Sequence, residues 1–189
     1  MPPKIRITKE EIIQEALSLV RERGADALNA RELAGRLKCS TQPIFSNFAS
    51  MEHLQDAVLT AAYDCYLAFQ KKEVEGGKYP PYKAYGMAYV RFAEEERELF
   101  KLLFMCDRTG KDTSPGLDFE ASVQMLMKNN GISHEKAMRI HLENWICVHG
   151  IGVMIATSFL SLDWTLISEV LSDIYHGLRL QHLSEEERR

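Results

Sequence analysis

The sequence predicts an all-α fold on three observations. Apolar residues recur at periods near 3.6 along the chain, no run alternates apolar and polar residues as a half-buried strand does, and helix-start signatures recur at Thr8, Asn29, Ser40 and Ser50. With 46% hydrophobic and 26% charged residues, 11 Gly and 6 Pro, the 189-residue chain reads as one or two compact domains, which excludes a disordered or fibrous protein. Its four cysteines (39, 65, 106 and 147) form no Cys-x-x-Cys pair and read as reduced thiols, so a cytoplasmic protein is expected.

The first helix opens on Thr8-Lys9-Glu10-Glu11, a capping box in which the Thr8 hydroxyl takes one free N–H and Glu11 reaches back for another. Ile12, Ile13, Ala16, Leu17 and Val20 form its apolar stripe, and Gly24 stops it. A second box at Asn29-Ala30-Arg31-Glu32 starts a two-turn helix with Leu33, Ala34 and Leu37 inward. Ser40 is the expected cap of a brief helix, 41–47, with Pro43 in its first turn, where a missing N–H costs little. Ser50 caps a long fourth helix running to about Glu75, where Gly76-Gly77 and Tyr79-Pro80-Pro81 break it. Further helices are expected at about 82–96, 97–106, 119–129, 133–160 and 164–182, with a long loop over 107–118 and a solvated tail at 185–189.

No apolar h-region follows the N-terminus, so a secretory signal is not expected. Between Glu143 and Asp163 no residue carries a formal charge, a membrane candidate by length alone. His149, Gly150, Gly152, Thr157, Ser158 and Ser161 interrupt it and no basic cluster flanks it, which favours a helix buried in a core or a subunit interface.

Two short helices joined by a tight turn, the second with small polar groups outward, form a candidate helix-turn-helix, although such a pair can also be ordinary helical packing. Thr41, Gln42, Ser46 and Asn47 are short enough to approach base edges and offer donors and acceptors, and Pro43 and Phe45 offer apolar surface to a thymine methyl. Arg31 can reach a guanine edge or a phosphate, and free N–H groups near Asn29, Ser40 and Ser50 can hold phosphates. The chain's net charge is −4, yet residues 1–48 hold eight Lys/Arg against six Asp/Glu. Lys4 and Arg6 sit in an N-terminal arm able to follow phosphates or enter a minor groove.

Over residues 8–58 the sequence resembles the tetracycline-repressor (TetR) family of transcriptional regulators. The likeness rests on Ile12, Ala16, Gly24, Leu28-Asn29-Ala30-Arg31-Glu32-Leu33-Ala34, the run from Cys39 to Phe48, and Ser50-Met51-Glu52-His53-Leu54. It departs from the family's usual Tyr at Phe45 and its usual Lys at Met51. The resemblance implies an all-α protein with a helix-turn-helix domain at 1–50 and a ligand-binding and dimerisation domain at 51–189. It makes 41–47 the recognition helix, with Arg31, Thr41, Gln42, Pro43, Phe45 and Asn47 on DNA. It also implies a homodimer built by the last two long helices and a small-molecule effector. Trp145, His149, Gly150, Gly152 and Ala156 look like a pattern in one branch of such domains.

The expected reading is therefore a ligand-responsive repressor released from a palindromic double-stranded operator, with no cofactor and no membrane partner; an all-α interaction adaptor or a small-molecule-binding enzyme without DNA binding is the alternative. No phosphate loop, zinc-protease motif or nucleophile elbow is present, so catalysis is not expected. Phe92, Phe104, Met125 and Trp145 are the expected walls of an apolar effector cavity, though such residues also simply fill cores. In the last helix Leu166, Val170, Ile174 and Leu178 make one stripe and Ile167, Leu171 and Tyr175 another, and one of the two must serve a partner, with Gly152 and Ala156 allowing close approach. His141, Trp145 and His149 share a helix face, but histidines eight residues apart lie about 12 Å apart along the axis, so an interface role is favoured over a metal site.

Overall fold

The computed structural model describes residues 7–107 and 119–184 of the chain. Among them are nine α-helices and no strand: α1 (Lys9–Arg23), α2 (Ala30–Arg36), α3 (Gln42–Asn47), α4 (Met51–Glu75), α5 (Pro81–Glu95), α6 (Arg97–Phe104), α7 (Glu120–Asn130), α8 (His134–Ala156) and α9 (Trp164–His182), with a 3-10 turn at Ala25–Ala27. None of these helices is long and apolar enough to cross a membrane. The expected 107–118 loop and 185–189 tail fall almost wholly outside the described residues.

Contacts divide the chain into two units. The first comprises 1–65 with 96–108, the second 66–95 with 109–189, so the continuous helix α4 contributes to both. In the first unit the capping box at Thr8 forms as expected, with the Glu11 N–H donating to the Thr8 hydroxyl at 3.1 Å and the Thr8 N–H to the Glu11 carboxylate at 2.8 Å. Ile12, Leu17, Leu19 and Val20 of α1, Leu33 of α2, Ile44 of α3, Leu54 of α4 and Leu99 and Phe100 of α6 are all buried, and α1 packs on α6. Gly24 ends α1 at φ 80°, a backbone conformation that strains any residue with a side chain, and a Cβ there would also lie 3.0 Å from the Glu98 carboxylate. Arg21 donates to both Glu96 carboxylate oxygens, at 2.9 and 3.1 Å, and adds an ion pair to the α1–α6 seam.

In the second unit α8 is the central element, packing on α5, α7 and α9. One core cluster joins Val123 and Leu126 of α7, Ile132, and Ala137 and Ile140 of α8, with Leu183 closing it. A second site is aromatic: Phe92 of α5, fully buried, meets Tyr66 and Phe69 of α4 at ring-centroid distances of 5.4 and 5.3 Å. Gly86 of α5 is required by packing, since a Cβ there would lie 2.7 Å from a Leu171 methyl of α9. Arg91 holds the far end of α4, donating to Glu73 at 3.1 Å while its guanidinium covers the Trp164 ring at 4.2 Å.

Helix α8 stops at Ala156, short of the expected end near Leu160. Thr157 caps it, Ser158 takes a left-handed φ of 58°, and Ser158 and Phe159 donate to the Ile155 and Met154 carbonyls. This is a Schellman stop built on serine rather than the usual glycine.

Candidate functional site

Helices α2 and α3 form the expected helix-turn-helix. Asn29 caps α2, accepting from the N–H groups of Arg31 and Glu32 at 3.1 and 3.0 Å. The Glu32 side chain pairs with Arg23 at 3.0 Å. The turn is a Schellman motif, with the Cys39 N–H donating to Ala34 and the Lys38 N–H to Gly35. Its left-handed position, φ 51°, is held by Lys38 where glycine is usual, a choice that costs about 1–2 kcal/mol of backbone strain. Lys38 thereby stands exposed at the tip of the turn with no carboxylate partner among the described residues.

The cap of α3 differs from expectation. Thr41, not Ser40, is the N-cap, and it makes no side-chain hydrogen bond because its backbone is already helical, with φ −70° and ψ −13°. The α3 amides near Ser40 thus carry no side-chain cap, whereas Ser50 does cap α4, accepting from His53 at 3.3 Å.

Ile44 is buried, and Phe48 closes the end of α3, which fixes its orientation. The opposite face carries Gln42, Phe45 and Ser46, all exposed, with Thr41, Pro43 and Asn47 at its margins half-buried. Phe45 is 50% exposed, a large aromatic left facing water on a six-residue helix. Ser46 donates to the Gln42 carbonyl at 2.9 Å and the Asn47 amide to Pro43 at 2.8 Å, so these two keep acceptor oxygens for an outside partner while Gln42 keeps its whole amide. Arg31 is exposed and pairs with no carboxylate among the described residues. Arg36, by contrast, is held on α1 by Glu15 and by Glu22 at 2.7 Å, and this pairing pulls the Glu22 carboxyl down to about 2. Lys4 and Arg6 lie outside the described residues. Sequence reasoning passed over Lys38, whose signal was its place in the turn.

The four expected cavity walls have different surroundings. Phe92 sits in its aromatic cluster, and Phe104 belongs to the first unit, 5.2 Å from Phe100. Trp145 is half-buried, stacked on His149 at 4.9 Å and 15°, and Met125 is half-buried on α7. The second unit instead contains a cavity of about 270 Å³ at the start of α5, lined by Tyr82 and Lys83 of α5, Asn144 of α8, and Leu171, Ser172 and Tyr175 of α9 among others.

The last helix divides its two stripes. Ile167 and Leu171 are buried against the protomer's own core, and Leu178 and Tyr175 pack on the α7–α8 cluster. Leu166 stays 43% exposed, with Val170 and Ile174 half-buried beside it. Gly152 and Ala156, expected at an interface, are buried within the protomer instead. The outward face of α8 runs through Leu142, at 42% exposed, and Ile146, at 56%, with Gly150 and Val153 on the following turns.

On the inner face of α8 the histidines are engaged by tyrosines of α5. His141 Nδ1 lies 3.0 Å from the Tyr82 hydroxyl and His149 Nδ1 2.7 Å from that of Tyr89. Burial lowers the pKa of His141 from its ordinary 6.5 to about 4 and raises that of Tyr82 well above the usual phenol range, so a neutral phenol and a neutral imidazole share the hydrogen bond. Below pH 6.5 the unfolded chain gains a proton that the folded chain refuses until about pH 4, so stability is full above that window and falls within it. The slope is at most about 1.4 kcal/mol per pH unit. Denaturant titrations at a series of pH values should show His141→Gln flattening the decline between about pH 6.5 and 5, above the range where carboxylates titrate; an unchanged slope would assign the decline to other groups.

No protein-family model and no curated protein matches the chain. Solved structures do match along nearly its whole length. A protein of unknown function from Rhodococcus sp. RHA1 is 19% identical, with 97% of this chain and 100% of that one covered at a TM-score of 0.72. A single-residue variant of TetR from Acinetobacter baumannii AYE, in complex with minocycline, is 18% identical, with 94% and 99% covered at a TM-score of 0.63. Helix count, order and near-complete overlap together give this chain the all-α TetR fold.

Proposed function

We propose that the chain is a DNA-binding transcription regulator of TetR type, a homodimer that represses by occupying a palindromic operator and is released by a small molecule. The observation that carries this reading is the face of α3. A six-residue helix clamped by buried Ile44 presents Gln42, Phe45 and Ser46 to water, next to Arg31 and, in the turn, Lys38, neither with a carboxylate partner among the described residues. A solvated helix gains nothing from an exposed phenylalanine, whereas a major groove offers thymine methyls to it and adenine edges to Gln42. Arg31 and Lys38 have the chemistry for phosphates at the margins. Thr41, Pro43 and Asn47 complete the contact surface, with Asn29, Ser40, Lys4 and Arg6 serving phosphates. Release works through α4, the one continuous helix that contributes to both units, whose far end Arg91 ties to α5 and α9. Two recognition helices then engage half-sites about 34–36 Å apart or somewhat more.

Selection from random duplexes followed by anisotropy titration tests the reading. An imperfect palindrome should emerge, and Gln42→Ala should cost about 1–3 kcal/mol on it and little on random DNA. Lys38→Gly should weaken both equally and reduce the salt slope by about one, while stabilising the fold by about 1 kcal/mol as the left-handed strain is relieved. Failure of any sequence to enrich would remove DNA recognition from the protein.

A further inference from the structure

The cavity at the start of α5 is lined by a buried amide with an unpartnered oxygen and by a cation with no carboxylate partner, among the described residues. Asn144 is only 8% exposed and lines the cavity, and its Oδ1 atom has no hydrogen-bond partner among the described residues. The Tyr82 hydroxyl beside it is already engaged by His141 at 3.0 Å. A buried acceptor without a donor is costly and uncommon.

The second group is Lys83. Its ammonium is 2.7 Å from the Ser172 hydroxyl and lies 5.1 Å from the Tyr79 ring centroid, yet it pairs with no carboxylate among the described residues, and no acidic residue lines the cavity. It also stands in the first turn of a 15-residue helix, where the dipole and the free N–H groups favour negative charge, and that turn contains no acidic residue. The cation is at the unfavourable end of its helix, beside a cavity that could hold an anion.

We propose that this cavity binds a small carboxylate that also bears a hydroxyl or N–H donor. The carboxylate pairs with Lys83 at the N-terminal turn of α5, and the donor satisfies Asn144 Oδ1. At about 30 Å³ of liquid volume per water, 270 Å³ suits a compact body of about ten non-hydrogen atoms, which Leu171 and the Tyr175 ring can cover. A cationic ligand would meet Lys83 with no acidic residue to offset it.

The regulatory use of this site rests on the DNA-binding reading, but binding itself does not, so the test omits DNA. Calorimetry of the full chain with 2-, 3- and 4-hydroxybenzoate, their methyl esters and benzoate uses ligands of the right size and chemistry. At least one hydroxybenzoate should bind saturably at millimolar concentration or below, about tenfold or more tighter than its ester and than benzoate. Lys83→Met should erase the preference for acid over ester, and Asn144→Leu the preference for hydroxybenzoate over benzoate. Should Asn144→Leu not fold, the wild-type comparison of hydroxybenzoate with benzoate carries the same information. Absence of saturable binding by every isomer, equal binding of acids and esters, or an acid preference that survives in Lys83→Met overturns the proposal. A chain that passes this test and selects no DNA sequence overturns the DNA-binding reading alone.

Discussion

Ile146→Arg is expected to convert a dimer into a folded monomer and to lower operator affinity by about a hundredfold or more, since a single recognition helix engages only one half-site. The outward faces of α8 and α9 expose Leu142, Ile146 and Leu166 on neighbouring, mutually packed helices. Fully burying one such side chain contributes about 1.5–3 kcal/mol, and two-fold symmetry counts each residue twice. An arginine at the centre of that surface would have to shed its water without a partner, a penalty of several kcal/mol per protomer. Position 146 is over half exposed in the isolated chain, so denaturation of the variant monomer should show little loss of fold stability. Sedimentation velocity decides the matter: a variant that still travels as a dimer places the interface elsewhere. Gly150 and Gly177 add a finer check, because a Cβ at either would meet nothing within 4 Å in the protomer. Alanine should gain about 1 kcal/mol of helix propensity there, unless a partner's backbone occupies the space and the substitution weakens association instead.

Phe92→Ala should destabilise the second unit by about 3–5 kcal/mol, a cost set by lost burial and by the hole left among Tyr66 and Phe69. The result separates two roles that look alike in sequence. A phenylalanine lining an open effector cavity leaves water or ligand to fill its place and loses less; one packed on all sides loses contacts outright. Thermal unfolding shifted by under about 1 kcal/mol equivalent would restore Phe92 to a cavity wall.

Helix starts were legible because their causes are local. Thr8, Asn29 and Ser50 cap by bonding amides two or three residues ahead, and such spacing is written in the sequence itself. The stop at Ala156 was not, because a serine at a left-handed position carries no glycine-like signature. Lys38 escaped notice for the same reason. The polarity of α3 was readable from Gln42, Phe45 and Ser46 once Ile44 was assigned inward. The cavity was not readable, since apolar residues such as Phe92 and Trp145 are compatible with several burial partners, and only the assembled helices place Asn144 opposite the start of α5.

The two tyrosine–histidine bonds have a mechanical consequence. Tyr82 meets His141 and Tyr89 meets His149, so α5 and α8 run in the same direction, with bonds seven residues apart on one helix and eight on the other. At 1.5 Å per residue these intervals span about 10.5 and 12 Å, close enough for both rungs of a ladder to form at a single register. Sliding either helix by a turn would break both rungs at once. The pair α5–α8 is thereby held in a single register at two points along its length.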